Sequence, residues 1–389
     1  MEYNFDEIID RRHTNSAKFD EMDALFGSDV MHLGVADMDY RSPEPILNAM
    51  QKIVKKGVFG YTILPDNYQD LVCQWMLRRY HEKIDPEWVV FSPRINMALN
   101  MVVETFTNPG DGIVLHTPAY TALQNAIEKY DRKMIESSLV LENGRYRMDF
   151  KQLREALDDN LKKGIHTSLM LLCNPHNPTG RVWNKGELDE IASICKDYNL
   201  MLVADEIHAD FAFQGKHQVF ANLKKEYEEM TIACTSPSKT FNLAGLQTSN
   251  IFIPNQKLKN AFKKQLDAAG YSQLNAAGLV ACEAAYRDGE EWYQTMKKYV
   301  AGNIAFTKEF VEKNLPGVNM VEHEGTYLVW LDFNGLGLCA QELEDLIVHK
   351  AKLWLDSGRI FGKCGCKACT NYYEKPLPSG LHLLSRGQL

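Results

Sequence analysis

Short apolar runs alternate with longer amphipathic stretches through the middle of the chain. The runs at residues 113–115, 169–172 and 201–204 are apolar without interruption, which is typical of strands buried on both faces of a sheet. Stretches of helical length and periodicity, such as residues 151–161 and 185–198, separate these runs. The alternation predicts an α/β fold in which helices cover a mostly parallel sheet.

The pattern changes after about residue 313. Residues 324–333 alternate between apolar and polar positions, as expected of a strand with one buried face. A helix is predicted over residues 340–352. These elements indicate a smaller α+β region that follows the parallel sheet along the chain.

Composition narrows the class of protein. Of the 389 residues, 45% are hydrophobic and 24% are charged, as in ordinary soluble proteins, and no apolar run approaches the roughly 20 residues that span a bilayer. The net charge of -8 argues against a broad nucleic-acid-binding face. Residues 1–7 are acidic and lack the features of a secretory signal, so a cytoplasmic protein with reduced thiols is expected. Six cysteines in apolar surroundings are predicted to be buried: Cys73, Cys173, Cys195, Cys234, Cys282 and Cys339.

Polar motifs begin where three of the strand-like runs end. N-P-H-N-P-T-G follows Cys173, D-E-I-H follows Ala204, and a segment containing S-P-S-K follows Cys234. The carboxyl ends of parallel strands meet at one edge of a sheet, where ligands gather. Each motif alone has a structural explanation, since Asn-Pro-Thr-Gly makes a good turn and Asp-Glu is a common helix cap. Their shared position predicts a ligand site.

Lys239 is the candidate nucleophile of the third motif. A partly desolvated lysine amine can form a Schiff base, and pyridoxal phosphate chemistry needs such an amine beside hydroxyls that bind phosphate. Ser236 and Ser238 are the candidate hydroxyls. Because S-x-S-K is common in loops, a solvated surface lysine is the ordinary explanation of this segment taken alone.

In this order and at this spacing the three motifs resemble the fold-type I pyridoxal phosphate enzymes, the aspartate aminotransferase superfamily. The resemblance covers about residues 5 to 362 and implies a homodimer with a large cofactor-binding domain and a smaller α+β domain built from both chain ends. The implied division is residues 1–50 for the N-terminal part of the small domain, 51–290 for the large pyridoxal phosphate-binding domain, 291–362 for the C-terminal part of the small domain, and 363–389 for a tail that departs from the family.

The resemblance implies a role for each motif residue. Lys239 would carry the cofactor and then move the substrate proton, and Asp205 would pair with the pyridine nitrogen so that the ring takes up electrons. Asn177 would hydrogen-bond the ring 3-hydroxyl. His208 stands where aminotransferases often have tyrosine, and Tyr120 of T-P-A-Y matches the aromatic residue that stacks on the ring.

Phosphate donors are implied at the turn S-P-R-I-N. Ile95 and Asn96 match the backbone N–H donors of the family, at a helix N-terminus where anions bind well. Tyr61 matches the tyrosine that reaches the phosphate of the neighbouring subunit. Many aminotransferases hold this phosphate with an arginine eight residues after the lysine, whereas this chain has Gln247, so a less cationic pocket is expected.

A finer resemblance selects the carbon-sulfur β-lyases, the group that contains cystalysin, cystathionine β-lyases and the maltose-regulon modulator. The motifs that carry it are V-A-D-M-D-Y, G-V-F-G-Y-T, H-T-P-A-Y, N-P-H-N-P-T-G-R-V-W, D-E-I-H-A-D and S-K-T-F-N-L-A-G-L-Q. The implied reaction is α,β-elimination from L-cystathionine or a related S-substituted cysteine, giving a thiol, pyruvate and ammonia. Lys239 would take the α-proton, and Tyr61 and Tyr120 are candidates for helping the leaving thiol.

Three other functions stay open at this point. An aminotransferase would use the same cofactor site but would release a keto acid that retains the substrate skeleton. A regulatory protein would hold the cofactor and bind a transcription factor, with little turnover. A plain structural α/β protein would show no cofactor absorbance that depends on Lys239.

The tail departs from the family after Gly362. Relatives continue to an F-V-R-L-N-like segment, whose arginine makes a two-pronged contact with the substrate carboxylate. Cys369, Thr370 and Asn371 stand at the expected position, and Arg386 lies in an unrelated context. We hypothesise a frameshift near Lys363, because codons for the three residues permit Val-Arg-Ile one base later. A gene sequence with an unshifted frame, shared by close relatives, would contradict this hypothesis.

Three cysteines of the tail also suggest a metal site. Cys364, Cys366 and Cys369 form C-G-C-K-A-C, but no fourth ligand nearby completes a tetrahedral set. No metal is therefore predicted.

Overall fold

The computed structural model describes residues 3–362 in full and residues 368–372 as backbone. The strands are β1 (Met31–His32), β2 (Val89–Ser92), β3 (Gly112–Thr117), β4 (Lys133–Ser138), β5 (Val140–Glu142), β6 (Arg145–Arg147), β7 (Thr167–Cys173), β8 (Met201–Asp205), β9 (Thr231–Thr235), β10 (Ser249–Phe252), β11 (Asn319–Met320), β12 (Leu328–Asp332), β13 (Leu353–Trp354), β14 (Asp356–Ser357) and β15 (Ala368–Tyr372). The α-helices are α1 (Met22–Phe26), α2 (Glu44–Lys56), α3 (Tyr68–Tyr80), α4 (Ile95–Phe106), α5 (Thr121–Glu128), α6 (Phe150–Lys162), α7 (Lys185–Asp197), α8 (Pro237–Thr240), α9 (Gln256–Ala268), α10 (Ala276–Asp288), α11 (Glu290–Asn314) and α12 (Ala340–Glu344).

Seven strands form the central sheet, in the order β2-β10-β9-β8-β7-β3-β4. Strand β10 is antiparallel to both of its neighbours, and the strands from β9 to β4 all pair in parallel. The α/β fold with a mostly parallel sheet, predicted from the sequence, is confirmed.

Both faces of this sheet are covered, as β7 illustrates. Leu169 and Leu171 belong to one buried apolar cluster, whereas Met170 and Leu172 belong to another. Successive side chains of a strand point to opposite faces, so two covered faces require an uninterrupted apolar run. This requirement is why the strand was recognisable in the sequence.

A second sheet, in the order β11-β12-β15-β14, is antiparallel throughout. An apolar cluster of its own includes Val311 of α11, Leu331 of β12 and Leu343 of α12. Strand β1 pairs in parallel with β13, which ties the N-terminal segment to the C-terminal part of the chain. The exact domain boundaries stay a prediction.

The cysteine prediction holds at five of its six positions, which are buried and free. It is wrong for Cys339, which is exposed because it caps the N-terminus of α12 at the surface, where its N–H donates to Glu342 at 2.7 Å. The side chains of the C-G-C-K-A-C segment lie outside the described residues. Within the described part, no helix is both long and apolar enough to cross a membrane, and no three His, Cys, Asp or Glu side chains are arranged to hold a metal ion.

Candidate active site

The three sequence motifs meet because β7, β8 and β9 are neighbours in the central sheet. Asp205, the last residue of β8, stands in register with Cys173 of β7 and Cys234 of β9. The segments that follow these strands enclose one cavity. The predicted site residues that line it are Ile95, Asn96, Tyr120, Asn177, Asp205, His208, Ser236, Ser238 and Lys239.

Lys239 lies on α8, a single helical turn that directly follows β9. The hydroxyl of Ser236 caps this turn by accepting the N–H of Ser238 at 3.1 Å, and it donates to the carbonyl of Thr248 at 2.7 Å. Pro at the start of the turn suits a position whose N–H has no helical partner. The local sequence therefore fixes the backbone from which the lysine side chain projects.

The amine of Lys239 donates a hydrogen bond to the carbonyl of Ala36. Burial lowers the pKa of Lys239 to about 8, and the negative charges of Asp37 and Asp205 oppose this shift. At a pH equal to this value, an ordinary lysine is almost wholly protonated. Here a large share of the amine is unprotonated, as a nucleophile or base requires.

Asp205 is a buried carboxylate in the same cavity. Burial raises its pKa to about 6, whereas the N–H of Ile207, 3.2 Å from Oδ1, and the charge of Lys239 lower it. Burying a carboxylate costs free energy unless a cation or several donors offset the loss of water. The site is thus arranged to receive a cationic group at Asp205.

Asn177 presents an amide with an unused acceptor. It is 6% exposed, and its Oδ1 has no hydrogen-bond partner among the described residues. Its own N–H donates to the thiol of Cys173 at 3.4 Å, and Trp183 fixes the other end of the loop by donating to Asn174 at 3.0 Å. A buried polar atom that lacks a partner normally has one supplied by water or a ligand.

Arg181 anchors the loop that carries Asn177. It is completely buried, and its guanidinium donates to Glu324 at 3.0 Å, to Glu187 at 2.9 Å and to the carbonyl of Tyr146. Glu324 also accepts the N–H of Val182 at 2.9 Å. Glu324, between β11 and β12, therefore ties the loop that carries Asn177 to this part of the chain through an ion pair and a backbone hydrogen bond.

Replacing Glu324 by alanine is expected to lower the free energy of unfolding by about 3 kcal/mol, because the buried Arg181 keeps only Glu187 as an ion-pair partner and the buried N–H of Val182 loses its acceptor. Urea denaturation of the purified variant measures this change. The matched control is Glu309→Ala, which removes an exposed ion pair with Lys313 and is expected to change stability little. Equal effects of the two substitutions would contradict the anchoring role.

Tyr120 and His208 line the cavity as uncharged groups. Burial raises the pKa of Tyr120, the charge of Asp205 adds to the effect, and the side chain of Asn96 opposes it. Burial lowers the pKa of His208 to about 3. The His208 ring lies 5.6 Å from that of Tyr327, in an edge-on arrangement. Tyr120 therefore stays a phenol, and His208 stays a neutral imidazole.

The N-terminus of α4 faces the same cavity through Ile95 and Asn96. The first N–H groups of a helix have no helical acceptor and carry a partial positive charge, so they attract anions. Ser236, Ser238 and Gln247 line the cavity as well. This end of the site offers several neutral donors to an anionic group.

Tyr61 is the predicted site residue that lies outside the cavity. It is 99% exposed, on the segment between α2 and α3, and its neighbours Val58, Phe59 and Ile63 are also largely exposed. Within one chain it does not reach Lys239. The expectation that it serves a neighbouring subunit stays a prediction.

Sequence reasoning missed several contributors. V-A-D-M-D-Y was singled out as a motif, but not for the carbonyl of Ala36, which accepts from both Lys239 and, at 3.2 Å, Tyr327. Arg94, Thr248 and Ser249 also line the cavity. The signal for Arg94 was present in S-P-R-I-N, a turn at a predicted helix start.

The position of the expected arginine falls on β15. The backbone of this strand lies between β12 and β14, with Thr370 in register with Trp330 and Asp356. The segment at the expected position therefore forms a strand, although its sequence contains no arginine.

Comparison with known proteins assigns the chain to one family. The family model for aminotransferase class I and II matches residues 28–370. Cystathionine beta-lyase PatB of Bacillus subtilis is 38% identical over 364 residues, which cover 93% of each chain. Protein MalY of Escherichia coli is 28% identical over 367 residues, 93% of this chain and 92% of the relative.

Two solved structures of pyridoxal phosphate-containing proteins are also similar to this chain. The chain is similar to cystalysin from Treponema denticola, which contains a pyridoxal 5'-phosphate cofactor, with a TM-score of 0.93, 35% identity and coverage of 99% of this chain and 98% of that chain. It is also similar to the PLP-bound C-S lyase from Staphylococcus hominis, with a TM-score of 0.90, 30% identity and the same coverages.

Proposed function

The chain belongs to the class I and II aminotransferase family, and we propose that within it the protein is a pyridoxal phosphate-dependent carbon-sulfur β-lyase. The substrate is L-cystathionine or a related S-substituted L-cysteine. The Cα–H and Cβ–S bonds break, one water is consumed, and a thiol, pyruvate and ammonia are released. The observation that carries the proposal is the meeting of Lys239, Asp205 and Asn177 in one cavity, in a chain similar to known lyases.

The residues of the cavity fit this cofactor. The buried carboxylate of Asp205 suits a protonated pyridine nitrogen, and the unpaired Oδ1 of Asn177 suits the ring hydroxyl. The N-terminus of α4 and the hydroxyl of Ser238 suit a phosphate group, and Ser236 fixes the turn that carries Ser238. When bound, pyridoxal phosphate supplies a ring that withdraws electrons from the substrate Cα.

Side chains of this protein would handle the protons. Lys239, with its lowered pKa, is suited to take the α-proton as a base at mildly alkaline pH. Tyr120 is a protonated phenol at neutral pH, and burial raises its pKa further, so it is able to donate to a leaving thiolate. Tyr61 is the second candidate for that step, from a neighbouring subunit.

The decisive experiment incubates the purified protein with L-cystathionine and follows pyruvate, the released thiol and the cofactor spectrum together. Pyruvate and thiol in equal amounts support the lyase. A keto acid that keeps the substrate skeleton would instead identify an aminotransferase. No visible cofactor band in the presence of pyridoxal phosphate would contradict both.

The rate at which cofactor-free protein binds pyridoxal phosphate is expected to rise with pH to half its maximum near pH 8. The sign follows from Lys239, whose amine reacts only when unprotonated and whose pKa burial lowers from 10.5 to about 8. Stopped-flow absorbance from pH 6.5 to 10.5 measures the midpoint. A midpoint near 10 would show that the amine behaves as a solvated lysine.

Lyase activity is expected to be weak in the chain as written. The strand β15 lacks the arginine that the resemblance requires for the substrate carboxylate, and loss of such a charge pair costs about 2 to 5 kcal/mol. We therefore expect kcat/KM for L-cystathionine to be roughly 30 to 4000 times lower than that of the Bacillus subtilis relative assayed in parallel. Equal values would contradict this expectation and the role of the missing arginine.

We further propose that the protein is a cytoplasmic homodimer. The support is the exposed apolar segment formed by Val58, Phe59, Tyr61 and Ile63, since contiguous exposed apolar surface commonly marks an interface. Sedimentation velocity of the wild type and of Phe59→Glu tests it. A monomeric wild type would contradict the proposed homodimer.

A further inference from the structure

The anion-binding end of the cavity has few positive charges. Its neutral donors are the hydroxyl of Ser238 and the N-terminus of α4, with Gln247 in the same lining, whereas the O–H of Ser236 already donates to the carbonyl of Thr248. A phosphate monoester carries close to two negative charges at neutral pH. Hydrogen bonds from neutral donors alone leave most of that charge without a formal counter-charge.

Arg94 is a cation at this same end. It lines the cavity, it is exposed, and it immediately precedes α4 as the residue that caps its N-terminus. The salt bridges found among the described residues do not include Arg94, so no carboxylate there holds its guanidinium.

The backbone of Arg94 is fixed although its side chain is not paired. Its carbonyl accepts the N–H groups of Met97 and Ala98, both at 3.1 Å, and the hydroxyl of Ser92 at 3.2 Å. The positive charge of Arg94 also lowers the pKa of Tyr120, which lines the same cavity. The charge of Arg94 therefore acts on the wall of the cavity, from the residue that directly precedes α4.

We propose that Arg94 supplies the cationic contact to the phosphate group of the cofactor in this chain. The inference rests on the proposed function, because the anion is the phosphate of pyridoxal phosphate. A guanidinium presents paired N–H donors whose geometry matches phosphate oxygens. Placed at a helix N-terminus, it adds a full charge to the partial charge of the helix.

The test compares two ligands that differ only in the phosphate. Cofactor-free wild type and Arg94→Gln are titrated with pyridoxal phosphate and with pyridoxal, and Kd is measured from absorbance. We expect Arg94→Gln to raise Kd about tenfold for pyridoxal phosphate, as loss of one charged hydrogen bond does, and to leave Kd for pyridoxal unchanged. The Kd of Arg94→Lys for pyridoxal phosphate is expected to lie between those of wild type and Arg94→Gln, since lysine keeps the positive charge but lacks the paired N–H donors of a guanidinium.

Two further variants sharpen the test. Arg41→Gln removes an exposed arginine, paired with Glu44, that does not line the cavity, and it is expected to change neither Kd. In the Arg94→Gln background, Gln247→Arg returns a cation to the same end of the cavity and is expected to restore most of the lost affinity for pyridoxal phosphate.

Two outcomes overturn the inference while leaving the proposed function standing. One is an unchanged Kd for pyridoxal phosphate in Arg94→Gln, with or without a higher KM for L-cystathionine. The other is an equal loss of affinity for pyridoxal and pyridoxal phosphate, which would indicate a structural role. Failure of the wild type to bind pyridoxal phosphate would overturn the proposed function together with the inference.

Discussion

Lys239→Ala is expected to abolish turnover of L-cystathionine, with a fall of roughly 10⁴-fold or more, and to remove the visible absorbance of the bound cofactor. Lys239 is the lysine of this cavity, and its amine points to the carbonyl of Ala36 beside Asp205. Alanine removes both the nucleophile that joins the cofactor to the protein and the base that takes the α-proton. No other described residue of the cavity has an amine to replace it.

Lys297 provides a matched control for this experiment. Burial lowers its pKa to about 8 as well, but it lies on α11 against the rings of Phe213 and Tyr293, at 5.5 and 5.7 Å. Lys297→Ala should keep the visible band and most of the pyruvate release. If instead Lys239→Ala retained more than a tenth of wild-type activity, the assignment of Lys239 would be wrong, whatever its effect on the spectrum.

Two kinds of feature could be predicted from the sequence: strands and helices with a regular apolar pattern, and polar motifs placed directly after a strand. The apolar runs of β7 and β8 were recognisable because both faces of the sheet are covered, and the motifs after Cys173, Ala204 and Cys234 converge because those strands are neighbours. Position at a strand end was therefore enough to collect Asn177 and Asp205 into one site.

Contacts between distant parts of the chain could not be predicted in this way. The hydrogen bond from Lys239 to Ala36 joins residues 203 positions apart, and that from Tyr327 to Ala36 joins residues 291 positions apart. No periodicity connects such segments. Nor could the sequence predict that Arg94 forms no ion pair among the described residues, because that depends on which carboxylates the fold brings near it.

Asp205→Asn is expected to lower kcat roughly 10² to 10³-fold, the usual effect of removing one fixed electrostatic partner from a catalytic site. Asparagine keeps the size of the side chain but cannot hold the pyridine nitrogen protonated, so the ring withdraws electrons less strongly from the substrate. The same substitution should not weaken the fold. Burial raises the pKa of Asp205 to about 6, so above that pH its charge destabilises the folded, cofactor-free protein.

The sign of that stability change separates a functional from a structural role for Asp205. As pH rises from 3.8 to about 6, the unfolded chain releases the Asp205 proton while the folded chain keeps it, so stability falls and stays lower above pH 6. Cofactor-free Asp205→Asn is therefore expected to resist urea better than wild type at pH 7, by roughly 1 to 3 kcal/mol.

Glu206→Gln is the control, because Glu206 is equally buried but accepts the N–H of Phe220 at 2.7 Å and does not line the cavity. It should leave kcat within about threefold of wild type, and a large loss of kcat in both variants would mean that any buried carboxylate here serves the fold rather than the chemistry.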